Sequence, residues 1–174
     1  ARRYHRALRC LDQAKTIAER IGAKYITVNA RNAVAWTLCE RGTTNDAVRA
    51  TDEATEAAET ARQVRLIVGE IPGLSRSARA TAMLGNLEAA RALSRRAVEL
   101  LEEQRIIESS EEEIYYTHYR ILSDLGDPSA SEYLARAYDG YLSKLSRLDA
   151  DEHEDAFSTN VRLNAAIRRD HGEG

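Results

Sequence analysis

Apolar side chains recur along most of the chain at intervals of three and four. Ile26, Ala30, Ala33, Val34 and Leu38 form one such set, and Ile114, His118, Ile121, Leu122 and Leu125 form another. Leu87, Ala90, Leu93, Ala97, Leu100 and Leu101 continue the pattern, as do Leu134, Tyr138, Tyr141, Leu142 and Leu145. That spacing brings each set onto one face of an α-helix, so the stripes predict core-facing surfaces of amphipathic helices. Breakers fall between the stripes at Gly22, Gly42, Gly85 and the run Gly126 to Ser129, where helix ends require them. Pro72 lacks a backbone N–H and is tolerated in a first helical turn. The pattern therefore predicts a short helix from Pro72 to Leu84, preceded by a long one from about Asp46 to Gly69.

The pattern repeats. Gly42 is followed by Ala47 and Ala54, Gly85 by Ala90 and Ala97, and Gly126 by Ser131 and Tyr138. Ala7, Leu11 and Ala14 keep the same register, with Arg2 in the glycine position, so the first copy starts part-way through. The intervals between positions 2, 42, 85 and 126 are 40, 43 and 41 residues, a period that fits two antiparallel helices per unit. Ala7, Ala47, Ala90 and Ser131 are expected where the two helices cross closely. The expected architecture is all-α, an α-solenoid of antiparallel helix pairs in one domain. Its units are 1–22 (second helix only), 24–70, 71–108 and 110–148, with capping helices and a tail over 150–174. A chain starting inside an amphipathic run reads as a piece of a longer polypeptide. Tyr4, Leu8, Leu11 and Ile17 would then lack a preceding helix, which predicts self-association or fraying at that end.

"GNLEAARALSRRA" and "GTTNDAVRATDEA" resemble the tetratricopeptide repeat family, whose second helix carries Ala-x3-aromatic-x2-Ala five residues after a turn glycine. The middle position departs from the family, being Leu11, Thr51, Ser94 and Ala135. The long period resembles the long-helix variety found in the C-terminal arrays of bacterial signalling ATPases, maltose-activator-like or cyclase-linked. Phe157, Asn160 and Val161 are similar to a segment that often closes such arrays, with Ser158 and Arg162 departing from it. The resemblance implies a right-handed superhelix and a regulatory segment of a larger signalling ATPase. It also implies a concave groove lined by the first helix of each pair. Carried over by register, the lining is Asn29, Asn32 and Trp36, then Ser75, Arg76, Arg79 and Met83, then Tyr116, Thr117, Arg120 and Ser123. Spacings of three and four place each set on one helix face independently of the family. Guanidinium forks, amides and aromatic faces suit a protein or peptide carrying an acidic or carboxylate-bearing segment.

Composition supports helix over strand. The 174 residues include two prolines and nine glycines, and Ala, Leu, Arg and Glu abound. A net charge of −3 from mixed signs gives no basic field for nucleic acid. No run is apolar enough to cross a membrane and the start lacks a signal-peptide core, so a cytoplasmic setting is expected. Cys10 and Cys39 are too far apart for a metal or redox pair and are expected as buried free thiols. The acidic run Asp149 to Asp155, with His153, and the run Glu111 to Glu113 read as helix starts stabilised by the dipole, with no metal bound. His118 lies on a core stripe, His5 and His171 lie near the termini, and no phosphate-cradling loop is present, so no catalytic residue and no cofactor are expected. The expected function is a non-catalytic protein–protein interaction scaffold. The alternative is an effector-sensing domain that binds a small ligand in the superhelix groove.

Overall fold

The computed structural model describes residues 2–104, 110–148 and 151–172, and every element among them is a helix. They fall into two compact units, Ala1–Ser109 and Ser110–Gly174. The first holds α1 (Arg2–Arg20), α2 (Lys24–Arg41), α3 (Thr44–Gln63), α4 (Ile67–Met83) and α5 (Leu87–Gln104). Connections of two or three residues make neighbouring helices antiparallel. Each packs on the next, and α2 also touches α4. Ala47 and Ala90, expected at close crossings, are fully buried, as are Ala54 and Ala97, whereas Ala7, expected at the same place in α1, is exposed. Leu8, Val34, Leu38, Cys39, Ala50 and Ala80 share one core with Ala54.

The turns show why the glycines stand where they do. Gly42 ends α2 at φ 79°, a left-handed conformation costly for a side chain, and its N–H bonds to the Leu38 carbonyl at 3.0 Å. Between α3 and α4 the same job falls to a non-glycine, Arg65, at φ 57°. That break corrects the sequence expectation, because α3 stops at Gln63 and α4 starts five residues before Pro72. Pro72 is therefore inside α4, where it offers no N–H to the carbonyl of Val68. In the same turn Asn32 Nδ2 donates to the Gly69 carbonyl at 3.0 Å. The flanking glycines serve packing. A Cβ on Gly69 would sit 2.5 Å from Val28 Cγ1 of α2, and one on Gly73 2.9 Å from the Ala58 nitrogen of α3.

Charged groups knit the outer side of the same unit. The Glu53 carboxylate, nearly buried on α3, meets Lys15 of α1, Arg31 of α2 at 2.8 Å and Arg49 at 3.6 Å. Arg31 also reaches Glu19 at 2.8 Å and Glu56 at 2.6 Å. Two expectations fail here. Cys10 is exposed while Cys39 is buried, and Ile26, placed on the core stripe of α2, is about half exposed at 49%.

The second unit holds α6 (Glu111–Asp124), α7 (Ala130–Leu145), α8 (Asp151–Asn160) and α9 (Arg162–His171). α6 packs on α7, α7 on α8 and α9, and α8 on α9. Its core is aromatic, with Tyr116, Tyr141 and Ile167 buried and Tyr115, Tyr119, Tyr138 and Phe157 packed around them. Phe157 stacks on Tyr141, and Asn164 Nδ2 donates to the Phe157 carbonyl at 3.0 Å, holding α9 against α8. The repeat register slips by one residue in α7. Ala130 and Ala137 are buried, while the expected crossing residue Ser131 is exposed, as is Leu142. Before α7 the chain makes a longer turn, in which Asp127 Oδ1 accepts from the Ser129 N–H at 3.0 Å and hydroxyl at 2.7 Å. Asp149 lies outside the described residues, as do the side chains of Asp151, Glu152 and Glu154.

Candidate functional site

The first unit gathers three of the expected lining residues. Trp36 of α2 is half-buried, with the Arg76 guanidinium 5.5 Å and the Arg79 guanidinium 5.4 Å from its ring centroid. Spacings of three and four along α4 turn both arginines toward α2, and the α2–α4 contact brings them over the indole. Arg79 Nη2 also pairs with Glu40 of α2 at 2.9 Å, which fixes the direction of its fork. Asn29, two turns before Trp36 on the same face of α2, is exposed, and Met83 is 37% exposed at the end of α4. The result is a half-buried indole with two guanidinium groups over its ring, one of them paired with Glu40. It can hold a carboxylate by forked hydrogen bonds and an apolar side chain on the indole.

Two residues expected in the lining are structural. Asn32 is 3% exposed and supports the α4 backbone as described, and Ser75 is 1% exposed. Neither presents a group at the surface, so the amide expected to meet a partner backbone meets Gly69 of this chain.

In the second unit Tyr116 and Arg120 do converge on a carboxylate, and it is internal. The Tyr116 hydroxyl donates to Asp170 Oδ2 of α9 at 2.8 Å, and Arg120 Nη1 lies 4.0 Å from the same oxygen. Arg169 holds the other oxygen at 2.9 Å. Burial, more than the adjoining Asp170 charge, pushes the Tyr116 phenol above its ordinary pKa, while Arg120 pulls the other way. Tyr116 is thus held neutral, as a hydrogen-bond donor. The bond that Arg120 donates to the Tyr116 oxygen is the largest cause raising the Arg120 guanidinium in turn. Thr117 is buried, and Ser123 is exposed at the end of α6.

Sequence reasoning missed Glu40 and Asp170. Glu40 carried a readable signal, since it follows Trp36 by four and shares its helix face. Asp170 lies 54 positions from Tyr116, and no local periodicity connects them. Among the described residues no helix is long and apolar enough to cross a membrane, and no cluster of His, Cys, Asp and Glu could hold a metal ion. Compared with known families, curated proteins and solved structures, the chain matches none.

Proposed function

We propose that the chain is a non-catalytic interaction scaffold, an α-solenoid of tetratricopeptide-like helix pairs. Its α2–α4 face would dock a protein segment bearing a carboxylate and a neighbouring apolar side chain. The observation that carries this reading is Trp36 flanked by Arg76 and Arg79, with Arg79 oriented by Glu40. Support for the repeat architecture comes from the buried alanines at matching positions of α3 and α5 and from the alternation of helices α1 to α5. The setting beside a signalling ATPase rests on the sequence resemblance alone.

The test uses Trp36, the single tryptophan, as its own reporter. Titration with peptides ending in Leu-Asp or Phe-Glu should change its fluorescence, and amidated versions should bind at least tenfold more weakly. Arg76→Glu with Arg79→Glu should abolish the response while leaving the helical circular dichroism intact. Equal binding of free and amidated peptides, or binding indifferent to the double variant, would refute the docking site. A small metabolite that shifts the melting temperature when no peptide does would favour the effector-sensing alternative.

A further inference from the structure

We infer that the edge of the first unit where α1 turns into α2 and α3 into α4 docks on an anionic lipid surface. After α1, α3, α4 and α6 the chain makes the same turn. Ala23, Leu66, Asn86 and Asp127 each donate an N–H to the carbonyl five positions back, at 2.9, 2.8, 3.2 and 2.9 Å. Every such turn needs one residue in left-handed backbone. Gly22, Gly85 and Gly126 supply it at φ 71°, 83° and 70°, but after α3 it is Arg65, at φ 57°. An arginine is strained where a glycine is not. The Arg65 side chain returns nothing to the fold, being exposed and without a partner among the described residues. Backbone strain that holds a cation out in solvent points to something outside the chain for that cation to meet.

The four turns share a geometry and differ in charge. Met83, Leu84 and Asn86 flank Gly85 without a charge, and Asp124 and Asp127 flank Gly126. Arg20 and Lys24 flank Gly22, and Arg62 accompanies Arg65. All four cations are exposed and make no ion pair among the described residues. The two cationic turns are neighbours. A Cβ on Gly69 would meet both Val28 Cγ1, one turn into α2, at 2.5 Å and Leu66 Cδ2, at the close of the α3–α4 turn, at 3.2 Å. Of the acids at this edge Glu19 is taken by Arg31 at 2.8 Å, which leaves Glu59 and Glu70 against four cations. In a chain of net charge −3 the sign is locally reversed.

Between the cations of each turn stands an exposed aliphatic side chain, Ile21 at 65% and Val64 at 45%. Both occupy the step just before the left-handed residue. Val64 lies in mid-chain at the end of a helix that α2 and α4 both cover, so its exposure belongs to the turn itself. Two neighbouring tips, each an aliphatic side chain between cations, suit the plane of a bilayer. The guanidinium and ammonium groups meet lipid phosphates while Ile21 and Val64 reach between the headgroups. An acidic polypeptide would engage the cations and leave both aliphatic tips in water.

Sedimentation of the full chain with sucrose-loaded vesicles tests this. Vesicles of phosphatidylcholine with about one-third phosphatidylserine should carry the protein down at low salt, and pure phosphatidylcholine vesicles should not. Arg65→Gly should weaken that binding about fivefold, yet raise the Trp36 melt by about 2–4 °C as the strain is relieved. A residue that served only the fold could not move the two readouts in opposite senses. Adding Arg62→Gln should cost about another fivefold. Arg76→Gln with Arg79→Gln removes the same charge from the α2–α4 face and should change vesicle binding less than twofold. Ile21→Gln with Val64→Gln should weaken binding to vesicles at least about fivefold and leave binding to poly-glutamate unchanged. Equal sedimentation with both vesicles, none with either, or binding indifferent to Arg65→Gly overturns the assignment. So does vesicle binding indifferent to the Ile21 and Val64 changes with poly-glutamate bound as tightly, because that result gives the edge to an acidic polypeptide.

Discussion

Asp46 joins the start of α3 to the end of α2, and replacing it with Asn removes charge with almost no change of shape. The Thr43 hydroxyl accepts from the Asp46 N–H at 3.2 Å, and the Asp46 carboxylate accepts from the Thr43 N–H at 3.3 Å. Arg41 grips the same carboxylate with both arms of its fork, through Nε at 2.8 Å and through Nη2. Those bonds, that from Arg41 first, hold the Asp46 pKa at about 2 against an ordinary value of 3.8. The carboxyl loses its proton more readily folded than unfolded. Its contribution is complete above about pH 5 and disappears as the pH falls through 3.8 toward 2. Because Arg41 is about one-third exposed, the ceiling is about 2 kcal/mol. At pH 7 Asp46→Asn should lower the melting temperature of the first unit by about 4–8 °C. Trp36 fluorescence follows that unit selectively, and melts at pH 7, 4 and 2.5 give the comparison. The gap between wild type and variant should shrink with acid and close near pH 2. A gap that is absent at pH 7, or constant down to pH 2.5, would show that the carboxylate does not hold the α2–α3 corner.

Gly73→Ala should destabilise the first unit by about 1–3 kcal/mol in urea, because the new methyl meets the Ala58 backbone 2.9 Å away; unchanged stability would mean that α4 can back away from α3. Glu53→Ala should cost about 2–3 kcal/mol by leaving Lys15 and Arg31, each less than one-fifth exposed, facing each other across the gap, and an additional Arg31→Ala should recover part of that loss. Tyr116→Phe should cost the second unit about 1–2 kcal/mol through its lost bond to Asp170, read by near-ultraviolet circular dichroism. The Tyr116 pKa is raised on folding, so its contribution is present below about pH 10 and lost above it. The difference from Tyr116→Phe should therefore narrow in alkali.

Helix type and most boundaries were legible because they depend on local chemistry. The glycines at positions 22, 42 and 85 end helices wherever the apolar period stops, and Ala47 and Ala90 are buried because the same step recurs in both copies. The error at Pro72 has an equally local origin. Proline marks a helix start only when the alternatives cost more, and Gly69 and Gly73 reverse that balance by letting α4 press against Val28 and Ala58. Without that tertiary contact, nothing in "VGEIPG" distinguishes a helix interior from a boundary.

The site divides along the same line. Trp36, Arg76 and Arg79 were readable because two helix faces of matching period only had to meet. Asn32 shares the Trp36 face and was misjudged, because burial depends on how deeply α4 settles against α2, and its amide serves the Gly69 carbonyl beside Pro72. Tyr116 and Arg120 show the deeper form of the problem. Their pattern was read as a carboxylate receptor, and they do bind a carboxylate, but α9 delivers Asp170 from the same chain. Side-chain chemistry specifies the kind of group a helix face will accept. Only the path of the chain determines whether that group comes from within, as Asp170 does at Tyr116 and Glu40 does at Arg79.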